Sequence, residues 1–258
     1  MVGTTTTNFQ GCSVLVTGAT SGIGAATAIA FGQAGAHVLV SGRDQTRGEA
    51  TCQAVRSRGG KATLLLANLA DHAAVVGLAR LVLEAADGQI DVLVNAAGAG
   101  FFKPSADVTM ADWDDVYAVN ARAPFFLTSA IAPTMAERGR GAVISIASAG
   151  TTGGLAGLSL FNSAKSALKA MSMNWAAEYG PYGVNVNAID VAGIRTPVNL
   201  GIRDMVEAVA AKTPAGGMVE PEQIAGAILF LATNAASHIH GITMSVDGGY
   251  AITHAMPG

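Results

Sequence analysis

The stretch Val14-Leu15-Val16-Thr17-Gly18-Ala19-Thr20-Ser21-Gly22-Ile23-Gly24 runs from an apolar strand-like segment into a glycine-rich turn, and an alanine-rich helical pattern follows. Gly18 and Gly22 let the backbone come close to a bound group, and the first amides of a helix favour negative charge. A strand, a tight turn and a helix with the spacing Thr-Gly-x-x-x-Gly-x-Gly fit a pyrophosphate, with Gly18, Thr20, Ser21, Gly22, Ile23 and Gly24 as its contacts. The competing reading is a tight βα turn with no ligand.

Short apolar runs alternate with helical patterns along the rest of the chain. Strands are expected at Ser13–Thr17, His37–Val40, Lys61–Leu66, Asp91–Asn95, Ala142–Ala147, Val184–Ala188 and Thr243–Val246. Helices are expected near Gly22–Ala34, Thr46–Arg58, Ala73–Ala86, Met110–Arg138, Ser159–Tyr179 and Pro221–Thr233. Thr109 with Asp112 makes a cap, and Pro221 suits a first helical position. Such alternation predicts βαβ units and an α/β fold: a Rossmann-type doubly wound parallel sheet of about seven strands, with helices on both faces. No repeat or Pro/Ser-rich linker divides the sequence, so residues 11–258 read as one dinucleotide-binding and catalytic domain after a flexible lead-in over 1–10. Residues 194–218, with a short helix around Arg203–Lys212, suit a substrate lid.

At 258 residues, half of them hydrophobic and 13% charged, the chain can bury a large core. Its formal net charge of -3 gives no reason to expect nucleic acid or an anionic membrane. Residues 141–164 and 223–246 carry no charge, but glycines and polar residues interrupt both, so they read as buried interior and not as membrane spans. The Thr-rich start lacks the basic and apolar regions of a signal peptide. Cys12 and Cys52 have no redox or metal spacing, which points to a reducing cytoplasm. His238 and His240 alternate in a loop or strand edge, and no metal site is expected.

The second strand ends in Ser41-Gly42-Arg43. Folds that prefer NAD place a carboxylate near this point for the ribose hydroxyls. Here Gly42 holds that place and Arg43 can pair with a 2'-phosphate, which favours NADP(H) over NAD(H). Arg43 as a solvated loop charge is the other reading, and Asp44 beside it complicates the preference.

Asn95-Ala96-Ala97-Gly98, Asn120, Ser148 and Lys165 join the glycine-rich turn at spacings that resemble the short-chain dehydrogenase/reductase family. The resemblance covers about Gln10 to Tyr250. It implies that Asn120 bends a long helix and holds a relay water, that Ser148 bonds the substrate oxygen, and that Lys165 holds the nicotinamide ribose. It further implies adenine contacts at Asn68 and Leu69, a site floor at Asn95, Ala96 and Gly98, and cofactor contacts at Gly193, Ile194 and Thr196. Four residues before the lysine the family carries tyrosine; this chain has Phe161. A phenyl ring can neither donate nor accept the proton that a phenol would.

Loss of a positioned acid or base costs roughly 10²–10⁴-fold in rate. Three explanations stand: a pocket whose chemistry is silenced, a reaction without net hydride transfer, or another donor such as Ser159, Ser163 or a water. Asn68 for the usual Asp, and Ala192-Gly193 for the usual Pro-Gly, are further departures. The pocket wall is expected from Phe101, Phe102, Thr151, Leu155, Asp190 and Val191, with Lys103, Arg195 and Arg203 as possible anion contacts. Relatives build subunit interfaces from the last strand and the Ser159–Tyr179 helix. A homotetramer or homodimer is therefore expected, supported by the apolar series Ala164, Ala167, Leu168, Met171, Trp175 and Ala176. The expected activity is NADP(H)-dependent carbonyl/alcohol oxidoreduction, impaired or altered at Phe161. The alternatives are an isomerase, lyase or cyclase on the same scaffold, or a silent nucleotide-binding homologue.

Overall fold

Runs such as Val14–Val16, Val38–Val40 and Val92–Val94 are apolar on both faces because helices cover both sides of the sheet they form. The computed structural model describes residues 8–195 and 203–253. Its strands are β1 (Ser13–Thr17), β2 (His37–Gly42), β3 (Lys61–Leu66), β4 (Val92–Asn95), β5 (Gly141–Ile146), β6 (Val184–Val191) and β7 (Thr243–Val246). They form one sheet in the order β3-β2-β1-β4-β5-β6-β7, and every neighbouring pair is parallel. The expected Rossmann-type doubly wound sheet is therefore the observed one. Chain order reverses between β1 and β4, so a crevice opens at their carboxyl ends, where such sheets bind ligands.

The helices are α1 (Gly22–Gln33), α2 (Gln45–Ser57), α3 (His72–Ala85), α4 (Met110–Tyr117), α5 (Ala123–Glu137), α6 (Ser159–Tyr179), α7 (Arg203–Ala210), α8 (Pro221–Leu231) and α9 (Tyr250–Thr253). Phe31, Val55, Ile224 and Ile228 from α1, α2 and α8 pack with Val16, Val40, Ile144 and Ile189 on one face. Leu78, Val82, Leu127, Ile131, Leu168 and Trp175 from α3, α5 and α6 fill the other face against Leu15, Leu93 and Val143. Two of the expected helix starts carry their caps. Thr109 and Asp112 form a reciprocal capping box, and Pro221 opens α8 behind Glu220 and Gln223.

Two elements differ from the sequence expectation in ways that shape the site. The single helix expected over 110–138 is interrupted by a π-helical turn, Ala118–Arg122. Asn120 lies in that turn and its Nδ2 donates to Val116 O, supplying a partner to a carbonyl of the widened backbone. Strand β6 runs three residues past the expected end at Ala188, through Asp190. Lys169 of α6 meets the Asp190 carboxylate at 2.7 Å, so the acid is accommodated within the strand. Smaller shifts extend β2 to Gly42 and start β4 at Val92.

Candidate functional site

The glycine turn is tight because other backbone fills the space around it. Gly18 has φ 66°, and a Cβ there would come within 2.7 Å of Ala97 Cα. A Cβ on Gly24 would lie 2.3 Å from Gly18 O. Thr17 joins the end of β1 to the end of β4: its Oγ1 accepts from Ala96 N and Ala97 N, each at 3.2 Å, and donates to Val94 O. Ser21 is the extended N-cap of α1, and its side chain makes no capping hydrogen bond. The opening amides of α1 thus meet the crevice without a side-chain acceptor of their own. Glycine cradle and donor set together fit a dinucleotide pyrophosphate.

At the end of β2, a Cβ on Gly42 would meet Thr20 Cγ2 at 2.4 Å. A side chain there would have to move that of Thr20. Arg43 beyond it is exposed and makes no ion pair among the described residues. Asp44 accepts from Arg47 N and Arg47 Nε as the N-cap of α2, and these bonds hold its carboxyl below the usual range. Its charge is thereby spent on the helix.

Asn120 and Lys165 converge on Gly98. A Cβ at Gly98 would lie 3.3 Å from Asn120 Oδ1 and 3.4 Å from Lys165 Nζ. Asn120 also bonds Ala99 through both amide atoms, locking the segment after β4 to the π turn. Lys165 is buried and donates to Ile146 O at 2.8 Å, at the carboxyl end of β5. Burial alone lowers its ammonium to about 8. Ser148, two residues beyond β5, caps the short 3₁₀ turn Ala149–Thr151, its Oγ accepting from Gly150 N. Phe161 lies one turn before Lys165 on α6, with its ring centroid 6.0 Å from Lys165 Nζ. Asn162 Nδ2 donates to Gly150 O, fastening the Ser148 turn to α6.

The expected pocket wall and anion contacts change here. Asp190 and Val191 do not form an open pocket wall. Alternation along β6 points Asp190 at Lys169 and buries Val191 in the core on the opposite face. Burial raises the Asp190 carboxyl, opposed first by Lys169 and then by the Ser148 backbone amide. Leu69 is buried in the core, and exposed Asn68 accepts from Ala70 N. Asn95 is also buried, its Nδ2 donating to Thr128 Oγ1. Two of the three proposed anion contacts are already paired: Lys103 with Asp112, and Arg195 with Glu220 and Glu207. Thr196 and the Arg203 side chain lie outside the described residues.

Phe102 and Leu155 remain exposed, and Thr151 and Phe101 are half-buried. Phe102 covers Gly157, and Lys103 N donates to Gly157 O, so the loops after β4 and β5 meet over the site. Gly193 (φ 58°) and Ile194 are tied to Val219 by backbone pairing. The residue that sequence reasoning missed is Lys169. Its place one turn after Lys165 was the available signal.

Among the described residues no cluster of three His, Cys, Asp or Glu side chains could hold a metal ion, and no helix is long and apolar enough to cross a membrane.

A family model described as enoyl-(acyl carrier protein) reductase matches residues 18–251. Gluconate 5-dehydrogenase of Gluconobacter oxydans (strain 621H) is 30% identical over 250 residues, spanning 95% of this chain and 97% of that protein. A solved structure described as a short chain dehydrogenase/reductase family protein is 35% identical, with a TM-score of 0.87 and coverage of 95% and 99%. A protein from Beutenbergia cavernae, provisionally assigned as an NAD(P)-dependent gluconate 5-dehydrogenase and solved with bound NADP at low occupancy, is 32% identical. Its TM-score is 0.90, with coverage of 95% of this chain and 98% of that one.

Proposed function

The chain belongs to the short-chain dehydrogenase/reductase family, and on that premise we propose that it transfers hydride between NADP(H) and a carbonyl or alcohol substrate. Phe161 occupies the position of the family's proton-donor tyrosine. The observation that carries this reading is the convergence of Asn120 Oδ1 and Lys165 Nζ on Gly98, close to the glycine turn packed on Ala97. A bound nicotinamide supplies or accepts the hydride at this place.

The chain's own groups do the remaining work. Gly18, Gly22 and the start of α1 hold the pyrophosphate. Arg43 meets the 2'-phosphate, while Gly42, packed against the Thr20 side chain, carries no acid that would prefer the free hydroxyl. Lys165 holds the nicotinamide ribose, and Ser148 Oγ bonds the substrate oxygen and polarises it. Phe101, Phe102, Thr151 and Leu155 form a mostly apolar wall.

Without a phenol beside Ser148, turnover is slower than the scaffold allows. Asp190 is not a free acid for isomerisation or elimination, because Lys169 holds it.

The test is a fluorescence titration with NADPH and NADH, followed by absorbance assays on ketones, 3-oxo compounds and sugar acids. NADPH should bind more tightly than NADH, and turnover should consume it. Failure to bind either dinucleotide overturns the reading.

A homotetramer fits the exposed Trp113, Phe125 and Phe126, which with Met171 line a groove of about 320 Å³ along α4 and α5. Ala164, Leu168, Trp175 and Ala176 do not contribute, since the chain's own core buries them. A reducing, cytoplasmic setting suits Cys12 and Cys52, both free thiols that burial pushes up.

A further inference from the structure

Helix α6 carries lysines on two successive turns, Lys165 and Lys169, in opposite environments. Lys165 is buried and its Nζ bonds a backbone carbonyl. Lys169 keeps 23% of its side chain exposed and has an acid partner, with Nζ 2.7 Å from Asp190 Oδ2. The same ammonium donates to Thr151 Oγ1 at 2.9 Å. Thr151 ends the 3₁₀ turn that Ser148 caps, and its hydroxyl donates to Ser148 O at 2.7 Å. Residues three apart in such a turn lie on the same side. A hydroxyl backed by an ammonium therefore stands beside Ser148.

Asp190 fixes this arrangement. Its side chain is 3% exposed, and its Oδ2 holds the Lys169 ammonium. The hydroxyls that sequence reasoning offered as donors are backed by neutral partners and not by an ammonium. Ser159 pairs with Ser105, and Ser163 donates to Leu160 O while accepting from Tyr117.

We propose that Lys169, anchored by Asp190 and acting through the Thr151 hydroxyl, is the proton source that replaces the missing phenol beside Ser148. This rests on the oxidoreductase reading, with a reduced nicotinamide dinucleotide as the hydride donor. As a substrate carbonyl oxygen gains negative charge, the Thr151 hydroxyl turns from Ser148 O toward it; the Thr151 O–H bond breaks and the product O–H bond forms. Lys169 returns a proton to Thr151, becomes a neutral amine and is re-protonated by water at its exposed edge. Alcohol oxidation runs the same transfers in reverse.

Two variants test the relay. Thr151→Val removes the hydroxyl and leaves the ion pair, while Lys169→Met with Asp190→Asn removes the pair as a unit and leaves no buried charge. Each is made in the parent chain and beside Phe161→Tyr, with NADPH-dependent reduction and NADPH affinity both measured. In the parent chain both should lower kcat by about 10²-fold, with NADPH affinity changed by less than about twofold. Beside Phe161→Tyr, where a phenol donates instead, the same changes should cost no more than about threefold.

Unchanged kcat in the parent chain overturns the relay. Equal losses in both backgrounds overturn it too, because they mark a structural role. An inactive parent beside an active Phe161→Tyr variant shows that the parent has no proton source, which overturns the relay and leaves the oxidoreductase reading intact. Turnover in none of them removes that reading and the relay together.

Discussion

Thr20 Cγ2 occupies the space that a Cβ on Gly42 would need, with only 2.4 Å between the two positions. A side chain at the end of β2 would thus have to move the Thr20 side chain, and the exposed residue that follows Gly42 is Arg43. Arg43→Ala should weaken NADPH binding roughly tenfold, as loss of one charge-assisted phosphate contact does. NADH affinity should change by less than about twofold. Fluorescence titration of both dinucleotides checks this, and equal weakening of the two would sink the phosphate assignment.

Gly24→Ala tests the cradle. The added methyl would fall 2.3 Å from Gly18 O, a backbone atom that cannot step aside without reshaping the turn. Overpacking of this kind costs about 1–3 kcal/mol of stability. Thermal unfolding should show that loss, together with loss of NADPH binding.

Burial lowers the Lys165 ammonium to about 8, from an ordinary value of 10.5. Below pH 8 both folded and unfolded chains carry the proton, and the cost of burying the charge is fully present. Between pH 8 and 10.5 the folded chain releases that proton before the unfolded one does, so this lysine's contribution to stability rises with pH. Urea unfolding of Lys165→Met beside the parent chain should show this rising component only in the parent. The gap between them should change by a few kcal/mol across the window.

Lys169 and Asp190 make a pair whose partners are unequal: the acid is buried, while the lysine keeps 23% of its side chain exposed. The raised Asp190 carboxyl shows that burial outweighs the attraction of Lys169. Lys169→Met alone strands the acid and should cost about 3 kcal/mol in chemical denaturation. Lys169→Met with Asp190→Asn should recover most of that loss, because replacing both charges removes the desolvation cost along with the attraction.

Much of the fold was legible because its signals are local. Valine-rich runs such as Val14–Val16, the cap at Thr109 and Asp112, and Pro221 each act within a few residues. The glycine turn was legible for the same reason. Partners distant in sequence were not. Nothing near Asp190 announces Lys169, which comes 21 residues earlier and reaches it only because α6 packs on β6. Lys103 and Arg195 looked free in the sequence, yet folding delivers Asp112, Glu207 and Glu220 to them. A bend at Asn120 was implied by the resemblance, but its π-helical form was not, because the amide satisfies Val116 O through a side-chain bond that no hydrophobic period encodes. Phe161 was readable as a phenyl ring without a hydroxyl, but the contact of Lys169 with Thr151 was not.

The most direct test of this account is NADPH consumption by the parent chain and by Phe161→Tyr, measured side by side on the same ketones and 3-oxo compounds. A phenol one turn before Lys165 should raise kcat by roughly 10–10²-fold on a substrate that the parent reduces slowly, since it adds a positioned acid to a relay already present. If Phe161→Tyr binds NADPH and folds as the parent does, yet neither chain consumes it with any carbonyl substrate, hydride transfer is not what this site performs.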